Sequence, residues 1–154
     1  MLWFGRPKAS PYEGEVETYR RRVFRRWPAE DVPLRPVSGG RDNDPRRALA
    51  READAVRRHL VDGWATIALD ENGRRVDSGG FAHKMQELEH SGVAGVVFVI
   101  GSDLGLDAAL RDEARITLSL SPMTLPHLIA RLVLWEQLFR ATHILGGGGY
   151  HRQG

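Results

Sequence analysis

There is no cysteine among the 154 residues. That excludes disulfides, thiolate zinc sites and cysteine-ligated iron–sulfur clusters. No apolar run approaches the roughly 18 residues that a membrane-spanning helix needs. Met1–Ser10 lacks an extended apolar core with a small-residue cleavage site, so a secretory signal is not expected and a cytoplasmic address is. Lysine is scarce too, with Lys8 and Lys84 the only two among 22 basic residues. Arginine-rich surfaces suit planar, bidentate contacts to phosphate. A GC-rich coding bias makes the same exchange, and composition does not separate the two.

What is present is the make-up of an ordinary globular protein, 42% apolar and 27% charged. The length fits one domain over residues 1–154. The net charge of +2 is unevenly placed: residues 1–60 carry 14 Lys or Arg against 9 Asp or Glu, and residues 61–154 carry 8 against 11.

Strand and helix signals alternate along the chain. Residues 2–5 read as the end of a short strand. Glu13–Trp27 reads as a helix with Val16, Tyr19, Val23, Phe24 and Trp27 on one face and Arg20, Arg21, Arg22, Arg25 and Arg26 on the other. That basic face fits either solvent or phosphate. Leu34–Val37 is a candidate strand, and 38–44 a loop rich in Gly, Asp and Asn. Asp44-Pro45 makes a good helix start, and the helix is expected to reach about Val61. Ala65–Leu69 is a short buried strand ending in the turn Asp70-Glu-Asn-Gly73.

A further helix is expected over Gly80–Ser91, opened by Ser78 or Gly79. Val96–Ile100 is the clearest strand, continuous and β-branched as burial on both sheet faces requires. A turn follows at Gly101–Gly105, then a helix from Asp107 to about Ala114 and a strand over Ile116–Leu120. The last helix, about Pro126–Leu145, places Leu128, Leu132, Trp135 and Phe139 on one stripe. Ile129, Val133 and Ile144 widen its apolar surface, which implies burial on more than one side and a second subunit. The fold class is α/β with a mostly parallel sheet flanked by helices.

Two loops can carry chemistry. Gly101-Ser-Asp-Leu-Gly105 follows a buried strand, where glycine lets the backbone approach a ligand closely. It is neither a dinucleotide fingerprint nor a P-loop. Leu120-Ser-Pro-Met-Thr-Leu125 precedes the last helix, with Thr124 suited to cap it and His127 in its first turn. Leu69, Gly101 and Leu120 end three strands that would line up at one sheet edge, where α/β proteins gather ligands. Backbone groups and apolar contacts in the Leu120–Leu125 loop could hold an adenine there.

The ordered series Phe-Val-Ile-Gly-x-x-x-Gly-Leu, Ser-Leu-Ser-x-Met-Thr-Leu-Pro-His, and Tyr-His-Arg near the C-terminus resembles the RlmH family of SPOUT methyltransferases. The resemblance covers nearly the whole chain. It implies a deep trefoil knot, with the knot and cofactor region at about 96–145 and an RNA-facing tail at 146–154. It also implies S-adenosylmethionine as cofactor, a homodimer, and methylation of ring nitrogen N3 of a pseudouridine in 23S, large-subunit ribosomal RNA within the ribosome or its subunit. Neither a metal nor a membrane is implied. Leu69, Gly101, Leu120, Ser121, Pro122, Met123, Thr124 and Leu125 match the family's cofactor-contacting positions.

His127, Arg131, His143, Tyr150, His151 and Arg152 are candidates for substrate contact or proton transfer. The preferred roles are base stacking for Tyr150, a phosphate contact for Arg152, and proton transfer or RNA hydrogen bonding for His151. The chain departs from the family pattern at Ser102, where a second glycine is usual and a serine could narrow the pocket. Two other readings stay open: a SPOUT enzyme with a different RNA target, and a ribosome-binding factor whose cofactor site has decayed.

Overall fold

The computed structural model of the chain describes residues 1–7, 10–37 and 44–147. Five strands and five helices alternate: β1 Leu2–Phe4, α1 Glu13–Val23, β2 Val32–Leu34, α2 Pro45–Arg57, β3 Trp64–Arg75, α3 Ser78–His90, β4 Gly95–Ile100, α4 Ala108–Glu113, β5 Ile116–Ser119 and α5 His127–Leu145. The sheet order is β2-β1-β4-β3-β5. All pairs are parallel, so all five carboxyl ends share one edge. This is the expected α/β class with a parallel sheet.

Alternate strand residues feed two cores, because successive side chains point to opposite faces. Trp3, Ala65, Ile67, Phe98, Ile100 and Leu118 join α1, α3 and α5 in the larger core. Leu2, Phe4, Leu34, Ala68, Val97 and Val99 join α2 and α4 in the smaller one. Five parallel strands covered on both faces explain why Val96–Ile100 is apolar without alternation.

Several boundaries differ from the sequence expectation, each for a local reason. α1 stops at Val23, and Trp27 turns back so that its amide bonds the Val23 carbonyl at 2.9 Å. Pro28 disfavours helix at Trp27, and Phe24, expected on the apolar face, is exposed. β2 is Val32–Leu34 rather than Leu34–Val37; it lies at the sheet edge, where Pro33 needs no ladder donor.

α2 ends at Arg57 instead of near Val61, in turns that bring Leu60 against the smaller core. Its start follows expectation, with the Asp44 carboxylate accepting the Arg46 amide at 3.0 Å. The cap of α3 is Asp77, whose carboxylate accepts the Gly80 amide at 2.7 Å. β3 does not end at Leu69: residues 70–73 are an excursion, and Leu69 and Arg74 both register with Leu118 of β5. Gly73 permits that excursion, since a Cβ there would lie 2.7 Å from the Leu118 backbone.

On α5 the buried stripe is Ala130, Arg131, Leu134, Trp135, Leu138, Phe139 and Ala141. Trp135 and Phe139 are placed as expected, but Leu128 and Leu132 are only half-buried. The helix carries two apolar stripes, and the one containing small alanines packs closest. Among the described residues, no helix is long and apolar enough to cross a membrane.

Candidate functional site

A cavity of about 760 Å³ opens at the carboxyl edge of β4, β3 and β5. Three loops build it: the 70–73 excursion of β3, the 101–105 turn after β4, and the 120–126 segment between β5 and α5. Leu49 of α2, Arg111 of α4 and Ala130 of α5 complete the wall. Leu69, Gly101, Leu120, Ser121, Met123, Thr124 and Leu125 all line it. Pro122 does not; it is exposed on the outer side of its loop.

Each loop is held by its own hydrogen bonds. A Cβ on Gly101 would lie 2.4 Å from the Gly105 carbonyl oxygen, so this crossing of backbone on backbone requires glycine. The Gly105 amide bonds the Ser102 carbonyl at 2.9 Å and closes the turn. In the 120–126 loop, the Ser119 hydroxyl donates to the Ser121 carbonyl at 2.8 Å, and the Ser121 hydroxyl accepts the Met123 amide at 2.9 Å. Met123 itself is 72% exposed, an apolar side chain at the rim of a polar loop.

Thr124 does not cap α5, as its position had suggested. Pro126 occupies the cap position without a side-chain cap, and the Thr124 hydroxyl donates to Glu71 across the cavity. His127 lines the cavity, and its Nδ1 lies 2.9 Å from an Asp103 carboxylate oxygen. That contact ties the start of α5 to the turn after β4.

The charged groups of this site were not foreseen from the sequence. Asp70, Glu71 and Asp103 bring three carboxylates to the cavity, with Arg111 the one arginine. Arg111 meets Asp70 at 2.6 Å. Burial pushes the Asp70 carboxyl up, but the Asn72 amide and the Arg111 guanidinium outweigh it and hold the group below the usual range. The available signal was a pair of acidic residues directly after a buried strand.

Other candidates lie elsewhere. Arg131 is 1% exposed and faces Glu13 at 2.7 Å and Asp31 at 3.0 Å. Its guanidinium stacks 4.1 Å above the Trp3 ring, inside the larger core. The His143 ring meets Phe139 edge-on at 4.6 Å. Tyr150, His151 and Arg152 lie outside the described residues.

The arginines of the 20–26 stretch are largely engaged. Arg20 and Arg21 each bond Glu17 at 2.7 Å, Arg26 bonds Glu89 at 3.0 Å, and Arg22 lies over Phe139. The hydrogen bonds from Arg20 and Arg21 hold the Glu17 carboxyl down at about 2. A second, smaller cleft of about 400 Å³, lined by Gly5, Arg6, Pro7, Pro33 and Arg35, opens at the ends of β1 and β2. Among the described residues, no three His, Asp or Glu side chains converge as a metal would require.

Residues 1–151 match the family model described as "Predicted SPOUT methyltransferase". The chain is 36% identical to the ribosomal RNA large subunit methyltransferase H of Rhodopseudomonas palustris, over 99% of this chain and 97% of that one. It is 37% identical to the protein of the same name from Agrobacterium fabrum, over 96% and 94%. The value is 38% for that of Paramagnetospirillum magneticum, over the same shares. Among solved structures, the SpoU methyltransferase AviRb of Streptomyces viridochromogenes, in complex with AdoMet, aligns at a TM-score of 0.42 and 17% identity. That alignment covers 92% of this chain and 57% of AviRb.

Proposed function

The chain belongs to the SPOUT methyltransferase family, and from that membership we propose that it methylates large-subunit ribosomal RNA at ring nitrogen N3 of a pseudouridine, using S-adenosylmethionine. The observation that carries this reading is the cavity at the carboxyl edge of β4, β3 and β5. Its volume lies within the roughly 300–1,000 Å³ of small-molecule sites.

The lining fits this donor. Leu69, Ile100, Leu106, Leu120 and Leu125 offer apolar surface for an adenine. The Leu120–Leu125 backbone offers hydrogen bonds to its edge. Asp70, Glu71 and Asp103 give the cavity an excess of negative charge, which suits a ligand carrying a sulfonium and an ammonium. At Gly101 the backbone can come as close to the ligand as it does to Gly105.

Bound there, S-adenosylmethionine supplies a methyl group already activated on a positive sulfur. The residues of this chain then have two tasks: to place the ring nitrogen in line with that group and to help it lose its proton. Tyr150 stacks on a base, Arg152 contacts a phosphate, and His151 moves the proton or bonds the RNA. His127, steered by Asp103, stands at the cavity wall as a substrate contact.

Chain crossings over about 96–145 form the deep trefoil knot. The half-buried Leu128, Ile129, Leu132, Val133 and Ile144 of α5 pack against a second copy. That twofold mate completes the RNA-facing wall of a homodimer, a cytoplasmic enzyme working on the ribosome or its subunit.

Calorimetry with S-adenosylmethionine and transfer of labelled methyl to large subunits from a deletion strain test the reading together. Both should be positive, with the label mapping to a pseudouridine. Ending the chain after Gly149 should abolish transfer and leave donor binding intact. A full-length protein that does not bind the donor at millimolar concentration sinks the proposal.

A further inference from the structure

Glu52 is the only fully buried acidic residue among those described, at 2% exposure. Among the described residues, no arginine or lysine pairs with it. Its carboxylate accepts the Val37 amide at 2.8 Å through Oε1 and the Ser102 hydroxyl at 2.8 Å through Oε2. A buried carboxylate without hydrogen bonds is strongly penalised, so both partners are needed where they are.

Ser102 belongs to the turn that walls the cavity. While its hydroxyl donates to Glu52, its oxygen also accepts the Leu104 amide at 3.2 Å. Its carbonyl accepts the Gly105 amide. Three of the contacts that shape the Gly101–Gly105 turn therefore run through one residue, and α2 anchors that residue from behind. Leu49, three positions before Glu52 and so on the same helix face, lines the cavity itself. The next residue of the turn, Asp103, reaches His127 of α5.

We propose that Glu52 is a positioning residue for the methyl-donor site: through the Ser102 hydroxyl it holds the Gly101–Gly105 backbone in the form that grips the donor. This rests on the donor-site reading above and deepens it. Ser102, expected from the sequence to narrow the pocket, is thus an anchor rather than an obstruction. Glu52 does not touch the reacting atoms, so it governs how tightly the donor is held and not how fast the methyl group moves.

The test compares the full-length protein with Ser102→Ala, Glu52→Gln and Glu52→Ala. Donor affinity is read by calorimetry, and KM and kcat by methylation of large ribosomal subunits. Ser102→Ala should raise Kd and KM for S-adenosylmethionine about tenfold, the scale of one lost hydrogen bond to a charged group. Its kcat, and its KM for subunits, should stay within about twofold of the wild type, as lost uniform binding requires. Glu52→Gln keeps one acceptor oxygen and should rank between the wild type and Glu52→Ala.

Should Glu52→Ala fail to fold, Ser102→Ala and Glu52→Gln still decide the matter. Wild-type donor affinity in both, or a fall in kcat at unchanged KM, overturns the inference and leaves the donor site standing. A wild-type protein that does not bind the donor overturns both.

Discussion

On the face covered by α1, α3 and α5, Arg131 lies between two carboxylates from distant parts of the chain, Glu13 and Asp31, under the Trp3 ring. On the face covered by α2 and α4, the described partners of Glu52 are an amide and a hydroxyl, both from loop segments. The first charge is neutralised by partners on α1 and just before β2, and it locks α5 to them. The second has no cationic partner among the described residues, and it locks a turn at the ligand edge. One buried charge serves the architecture and the other the site.

That contrast predicts unequal consequences. Arg131→Ala would strand Asp31 and Glu13 beside the larger core and should cost about 3–5 kcal/mol in denaturant unfolding. A loss below about 1 kcal/mol would mean the cluster is incidental, since that is the range of surface pairs. Gly101→Ala forces a Cβ to within 2.4 Å of the Gly105 carbonyl unless the turn moves. It should cost about 1–3 kcal/mol of strain and weaken donor binding more than Arg131→Ala does. If calorimetry shows the opposite order, the division of labour between the two faces fails.

Two smaller effects sharpen the picture. Asp44→Ala removes the cap of α2, the helix that carries Glu52, and should lower stability by about 1 kcal/mol. Donor affinity should change little, because Glu52 sits two turns further on; a large change would show that fraying of α2 reaches the site.

On α1, the Glu17 carboxyl is held at about 2 against an ordinary 4.5. A depressed carboxyl contributes stability that is whole above its ordinary value and vanishes as pH falls through the folded one. The helix should therefore weaken between about pH 4.5 and 2. Glu17→Gln should flatten that part of an acid titration followed by circular dichroism. The pair is solvent-exposed, so this is the smallest effect of the four.

Much of the fold was legible in the chain itself. Nine of the ten described elements were visible in periodicity and turn chemistry, because a helix face, a β-branched run and an Asp-Pro cap are properties of neighbouring residues; the strand expected at Leu34–Val37 meets β2 only at Leu34. Seven of the eight residues singled out for the cofactor line the cavity for a related reason. Parallel strands reach a common edge; β4 and β5 end there at Ile100 and Ser119, and β3 leaves its register there after Leu69.

What the chain did not disclose depends on residues far apart in it. Thr124 looks like a cap until Glu71, 53 positions away, takes its hydroxyl. Arg131 looks like an RNA contact until Glu13, 118 positions away, claims it. Ser102 looks like a blemish until Glu52 is placed behind it. Local sequence determined where each strand and helix forms, since those choices are made by hydrogen bonds and side chains within a few residues. Only the tertiary structure decided which charges are buried, which stripe of α5 turns inward and which partners the loop hydroxyls take, since each is a competition that only folding brings together.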